Sequence, residues 1–162
     1  MLLGPHFLVG AAIASNFQNP LAGFVIAFLS HFFLDRIPHW EYSIEPLKEI
    51  KTKGMGYAMP ILRRVALDVL LGFIVLIIAS ILARRDISFI QAAVGGFFGI
   101  LPDGLSMLLF LKRGKGIFAS LLKIFYLFHQ KAHYDKKANP PMRIGLSTQA
   151  IAILLAIYFL IF

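Results

Sequence analysis

Long apolar runs alternate with short polar interruptions along this chain, and their spacing predicts helices throughout. A run from Pro5 to Phe17 has its proline where a first helical turn tolerates one. The polar turn Asn16-Phe17-Gln18-Asn19-Pro20 follows, then a second run from Leu21 to Ile37. Both are brief for a membrane crossing, which takes about 20 residues. They read as a tight hairpin packed through Gly10, Ala11, Ala14, Ala22 and Gly23. Glu41 to Met59 is the one long polar stretch, a surface loop with at least one helical turn, broken at Gly54-Met55-Gly56. A third helix is expected from Leu62 to Ala83, stopping at Arg84-Arg85-Asp86. A fourth runs from Ile87 to Leu101, ends at Pro102-Asp103, and is followed by a short apolar piece, Gly104 to Leu111.

Beyond the basic turn Lys112-Arg113-Gly114-Lys115-Gly116, the pattern changes character. From Ile117 to Tyr134, Phe118, Leu121, Leu122, Phe125 and Phe128 oppose Lys123 and Lys131, which is the signature of a helix lying in the membrane interface. Asn139-Pro140-Pro141 breaks it, and Ile144 to Phe162 forms a last apolar helix. The architecture expected is one all-α polytopic membrane domain over residues 1–162, with five spanning or near-spanning helices and one interfacial amphipathic helix.

Composition supports that class. Hydrophobic residues make up 59% of the 162, mean hydropathy is +0.78, and 15% are charged. A soluble domain of this length cannot hide so much apolar surface. Ala12-Ile13-Ala14 imitates a signal-peptidase site, but no basic segment precedes the first apolar run, so that run is read as a retained helix. With no cysteine, disulfides and thiolate metal sites are excluded. The net charge of +8 is read as topology and affinity for anionic lipid, since no nucleic-acid-binding motif accompanies it. If the first four helices alternate, fourteen of sixteen basic residues fall on one face, and only Arg84 and Arg85 lie opposite. By the positive-inside rule that face is cytoplasmic in an inner or plasma membrane, with the N-terminus inside and the C-terminus outside.

The same bookkeeping puts all five histidines, His6, His31, His39, His129 and His133, on the crowded face, with Asp35, Asp68 and Asp103 at helix ends beside them. His31/Asp35 and His129/His133 are i, i+4 pairs, which share a helical face. Histidine and carboxylate without thiolate suit zinc, with manganese or iron(II) as alternatives. A catalytic zinc takes about three protein ligands, so His6, His31, Asp35, His39, Asp103, His129 and His133 are enough for one ion or two. Each residue also has a plainer reading. His31 and Asp35 could lock two helices as a buried pair, or Asp35 could pair with Arg36; His39 could be an interfacial anchor, His6 a solvated end residue, Asp68 a partner of Arg64, Asp103 a helix cap after Pro102, and His129 and His133 a stripe that binds lipid headgroups.

Ser30-His31-Phe32-Phe33-Leu34-Asp35, Gly99-Ile100-Leu101-Pro102-Asp103, the His129/His133 pair and the early His6 with Gly10 resemble motifs of a family of inner-membrane metal-dependent hydrolases long filed as a domain of unknown function. The mixture of His and Asp is more distantly similar to zinc-dependent phospholipase C proteins. The resemblance implies metal-dependent hydrolysis of a phospholipid or another phosphorylated lipid. A metal-activated water would attack, Asp68 or Asp103 would serve as general base, and Arg63, Arg64 or Lys131 would hold the phosphate. The many phenylalanines suggest a groove for acyl chains. The alternative is a non-enzymatic membrane protein that binds anionic lipid or a partner protein through the same cluster. A pore would need ionisable groups near mid-span, and these stand at helix ends.

Overall fold

The computed structural model describes residues 1–84, 86–111, 116–133 and 141–162, and among these every regular element is helical. In chain order they are α1 (Leu3–Ser15), α2 (Pro20–Leu34), α3 (Glu45–Lys48), α4 (Ile50–Lys53), α5 (Met55–Leu82), α6 (Phe89–Leu111), α7 (Ile117–Ala132) and α8 (Met142–Ile161). Helix α1 is the axis of the bundle. It is buried over most of its length and contacts α2, α5, α6 and α8.

Three helices, α5, α6 and α8, are long and apolar enough to cross a membrane, rather than the five expected. With 13 and 15 residues, α1 and α2 reach only about 20 and 22 Å at 1.5 Å per residue, short of a roughly 30 Å hydrocarbon core. Their hairpin turns where the sequence suggested. The Asn19 side chain accepts hydrogen bonds from the amides of Leu21 and Ala22 at 3.0 and 3.3 Å, and Pro20 starts the helix. The small residues divide their work. A Cβ on Gly23 would meet Ala14 of α1, whereas one on Gly10 would meet the Gly95 carbonyl of α6 at 2.6 Å.

Two boundaries differ from expectation. Helix α5 begins at Met55, seven residues before Leu62, and carries Pro60 inside it. The proline removes one amide, the partner of the Gly56 carbonyl, and Gly56 is exposed where water can replace that bond. Helix α6 runs unbroken through Pro102, so Asp103 is not the cap of a new helix but an interior residue of α6. Pro102 is buried. The amide it lacks deprives the Phe98 carbonyl of a partner and loosens that turn. The polar stretch 41–59 holds α3, α4 and the first residues of α5, and the interfacial helix α7 ends at Ala132. Lys112, Arg113, Lys115, Lys136, Lys137, Arg85 and the Asn139-Pro140 break lie outside the described residues.

Helix α8 fixes the segment after α2. The Thr148 hydroxyl donates to the Pro38 carbonyl at 2.6 Å, and the buried Gln149 amide donates to the Trp40 carbonyl at 3.0 Å. Gly145 lets this segment approach, since a Cβ there would stand 2.6 Å from the Trp40 amide nitrogen. Asp68 does not pair with Arg64 as the cheapest reading proposed. It accepts the Leu3 amide at 2.6 Å and so satisfies one of the unpaired donors at the start of α1.

Candidate metal centre

Asp35, the C-cap residue of α2, is fully buried, and four imidazoles surround it, one from its own helix, one from α1 and two from α7 and its end. Its Oδ2 lies 3.1 Å from His31 Nε2, 3.2 Å from His129 Nε2 and 3.2 Å from His133 Nε2. Its Oδ1 lies 3.1 Å from His6 Nε2 and 3.1 Å from the α-amino nitrogen of Met1. His31 and His129 face each other with their Nε2 atoms 2.9 Å apart. Asp103 Oδ1 stands 3.9 Å from His31 Nε2 and 3.8 Å from His129 Nε2. His39 is held at the edge, its Nε2 3.7 Å from Glu41 Oε2.

The far nitrogens decide which ring atoms carry protons. His31 Nδ1–H donates to the Gly99 carbonyl at 2.8 Å, and a carbonyl can only accept. A neutral His31 therefore presents a lone pair at Nε2, aimed at the cluster. Gly99 lies three residues before Pro102, so the helix that was expected to end there instead runs on and brings this carbonyl to the histidine. His39 is fixed the same way, with Nδ1–H donating to the Ile37 carbonyl at 2.7 Å. His129 Nδ1 pairs with the Ser106 hydroxyl at 2.9 Å. By contrast, Nδ1 of His6 and of His133 is buried without a hydrogen-bond partner among the described residues. Those two rings spend their Nε2 on Asp35. At the rim of α7, burial pushes the His133 imidazole down to about 4, which keeps it neutral at physiological pH.

His31 Nε2, His129 Nε2 and Asp35 Oδ2, three atoms able to ligate a metal, lie within 2.9–3.2 Å of one another. For bonds of about 2.0–2.1 Å to zinc, adjacent ligand atoms sit about 3.0–3.4 Å apart, so the triad suits a single coordination sphere. Four groups meet a wider criterion, with ligand atoms all within 4.8 Å: His6–His31–Asp103, His31–Asp35–His129, Asp35–His39–His133 and Asp103–His129–His133. These buried groups are compatible with a metal ion. The three Nδ1 partners are the outer hydrogen bonds that orient histidine ligands in metal sites.

The structure brings His6, His31, Asp35, His39, Asp103, His129 and His133 together, and leaves the other candidates elsewhere. Arg63 and Arg64 are exposed on α5 and do not line the cavity beside the cluster. Asp68 is taken up at the start of α1. Lys131 lies with Arg36, Phe32, Phe33 and Phe128 along a separate cavity of about 530 Å³. Sequence reasoning missed Ser106, Glu41, Tyr42 and the Gly99 carbonyl. A serine inside an apolar run was the one available signal for Ser106; a backbone carbonyl leaves none. No protein-family model, no curated protein and no solved structure matches this chain.

Proposed function

We propose that the protein is a membrane-embedded metal-dependent hydrolase that holds one divalent ion, zinc before manganese or iron(II), between His31, Asp35 and His129. The observation that supports this is the pairing of His31 Nε2 with His129 Nε2 at 2.9 Å while the His31 proton is committed to Gly99. When the Ser106 hydroxyl accepts from His129 Nδ1–H, both Nε2 atoms present lone pairs beside a carboxylate, an arrangement that a shared cation satisfies. A proton on His129 would satisfy it alone, but it would leave Asp103 Oδ1 unexplained at 3.8–3.9 Å from both rings, too long for hydrogen bonds. A fourth donor at that distance is one small shift from a shared ion.

One ion suffices because His6 and His133 are spent on Asp35, holding its carboxylate toward the triad. When bound, the ion would supply a Lewis acid and lower the pKa of a water toward neutrality. The chain's own residues do the rest. Asp103, only partly buried where its carboxylate faces the adjoining cavity, is placed to accept a proton from water. The apolar walls of that cavity exclude bulk water, and the substrate is a lipid that enters from the bilayer. The resemblance in the Ser30–Asp35 and Gly99–Asp103 motifs points to the same chemistry. The sequence's excess of basic residues in the loops on one side supports a cytoplasmic site by the positive-inside rule.

Hydrolysis of chain-bearing p-nitrophenyl esters by detergent-purified protein tests this reading. Activity is expected to vanish on chelation, return with added zinc, and fall at least about 100-fold in Asp103→Asn, the scale of a lost general base. Activity that survives exhaustive chelation contradicts it.

A further inference from the structure

The cluster opens onto a cavity of about 370 Å³, bounded by α5, α6, α7 and the segment after α2. Asp103, His129 and His133 form one wall and Glu41 and Tyr42 another; Ser106 and Gln130 add two neutral polar side chains, and most of the remainder is aliphatic or aromatic. Among the described residues no lysine or arginine lines it. The one cation at its wall among the described residues is the α-amino group of Met1, already paired with Asp35 at 3.1 Å and near Glu41 at 3.8 Å. A phosphate entering here meets two carboxylates, Glu41 and Asp103, with Asp35 behind them. Like charges brought together in a low-dielectric wall repel strongly.

The second observation is Tyr42. Its hydroxyl is buried and has no partner of full hydrogen-bond geometry; the Asp68 carboxylate, itself engaged by the Leu3 amide, is its one loosely placed acceptor among the described residues. Burial, with the carboxylates of Asp68 and Asp103, pushes the phenol above its usual range, so it remains a donor. A buried donor so loosely held gains from a better-placed acceptor supplied by a bound molecule.

We infer that this cavity binds an uncharged acyl group, a carboxylic ester or amide on an aliphatic chain, with the Tyr42 hydroxyl donating to its carbonyl oxygen. The assignment rests on the hydrolase reading and changes the bond expected to break, from a phosphoester to the acyl C–O or C–N bond. Water supplies the new C–O bond, and the alcohol or amine leaves with one of its protons. No oxidant or reductant enters.

Calorimetry on the zinc-supplemented, detergent-purified chain compares N-decylacetamide with decyl phosphate, and wild type with Tyr42→Phe. The amide is expected to bind at least about tenfold more tightly than the phosphate. Tyr42→Phe should weaken the amide about fivefold, one neutral hydrogen bond, with no fall in Tm. Equal or tighter binding of decyl phosphate overturns the assignment, as does a Tyr42→Phe variant that loses Tm while keeping its affinity for the amide. In parallel, p-nitrophenyl decanoate should be cleaved and p-nitrophenyl decyl phosphate not; faster release from the phosphate overturns the assignment too. If neither is cleaved while the binding preference holds, the cavity assignment stands and the hydrolase reading fails.

Discussion

Asp35→Ala is expected to cost about 3–5 kcal/mol of stability, the scale for removing one partner from a buried ionic network. Asp35 is the only carboxylate within 3.2 Å of His6, His31, His129 and His133 among the described residues, and it is itself buried. Removing it leaves four rings facing a void with no acceptor. Asp35→Asn keeps the volume but not the charge, and should fall between wild type and alanine. Thermal unfolding in detergent, with and without zinc, separates the two roles of this residue. Excess zinc should stabilise the wild type by about 2.7 kcal/mol at a hundredfold over Kd, and should not stabilise Asp35→Ala. Equal zinc stabilisation of both would remove Asp35 from the ligand set.

Gly99→Ala is expected to be as damaging for a different reason. A Cβ at residue 99 would stand 2.4 Å from the His6 carbonyl oxygen and 3.2 Å from Gly10 Cα, both backbone atoms that no rotamer change can move. Helices α1 and α6 would have to separate, at a cost of about 3 kcal/mol, the upper end for overpacking. The separation would also carry the Gly99 carbonyl away from His31 Nδ1, which it holds at 2.8 Å. Packing and site would therefore fail together. Gly104→Ala, five residues on in the same helix, is the control. Nothing lies within 4 Å of a Cβ there, and alanine should stabilise the helix by about 0.5–1 kcal/mol. A folded, zinc-binding Gly99→Ala protein with wild-type Tm would show that the α1–α6 contact is not what positions His31.

The sequence carried the apolar runs, the position of the first hairpin and the interfacial period of α7, because those features depend on local spacing alone. It also carried the ligand candidates, because histidine and aspartate at helix ends in so apolar a chain are rare and costly. The polar turn at Asn16–Pro20 and the pairs His31/Asp35 and His129/His133 are local in the same sense. What could not be read was contact between distant parts of the chain. Asp68 sits four residues after Arg64, so the local rule favoured an ion pair, yet the amides at the start of α1 offered a buried, unpaired donor. Pro102 looked like an end, but a long apolar helix packed against α1 tolerates the loss of one amide. Arg63 and Arg64 were grouped with the histidines by a topology argument, which does not see that their side chains on α5 are exposed and do not line the cavity beside the cluster. The Gly99 carbonyl and the loosely held Tyr42 hydroxyl emerge only once the chain is folded.

Elemental analysis of the detergent-purified chain, beside a His31→Ala/His129→Ala variant, reads the shared cation directly. About one zinc per wild-type chain, and less than about 0.2 in the variant, is the expected result for a three-ligand site that loses two ligands. Less than about 0.2 per chain in both after incubation with zinc, or equal amounts in both, would contradict a metal between His31, Asp35 and His129.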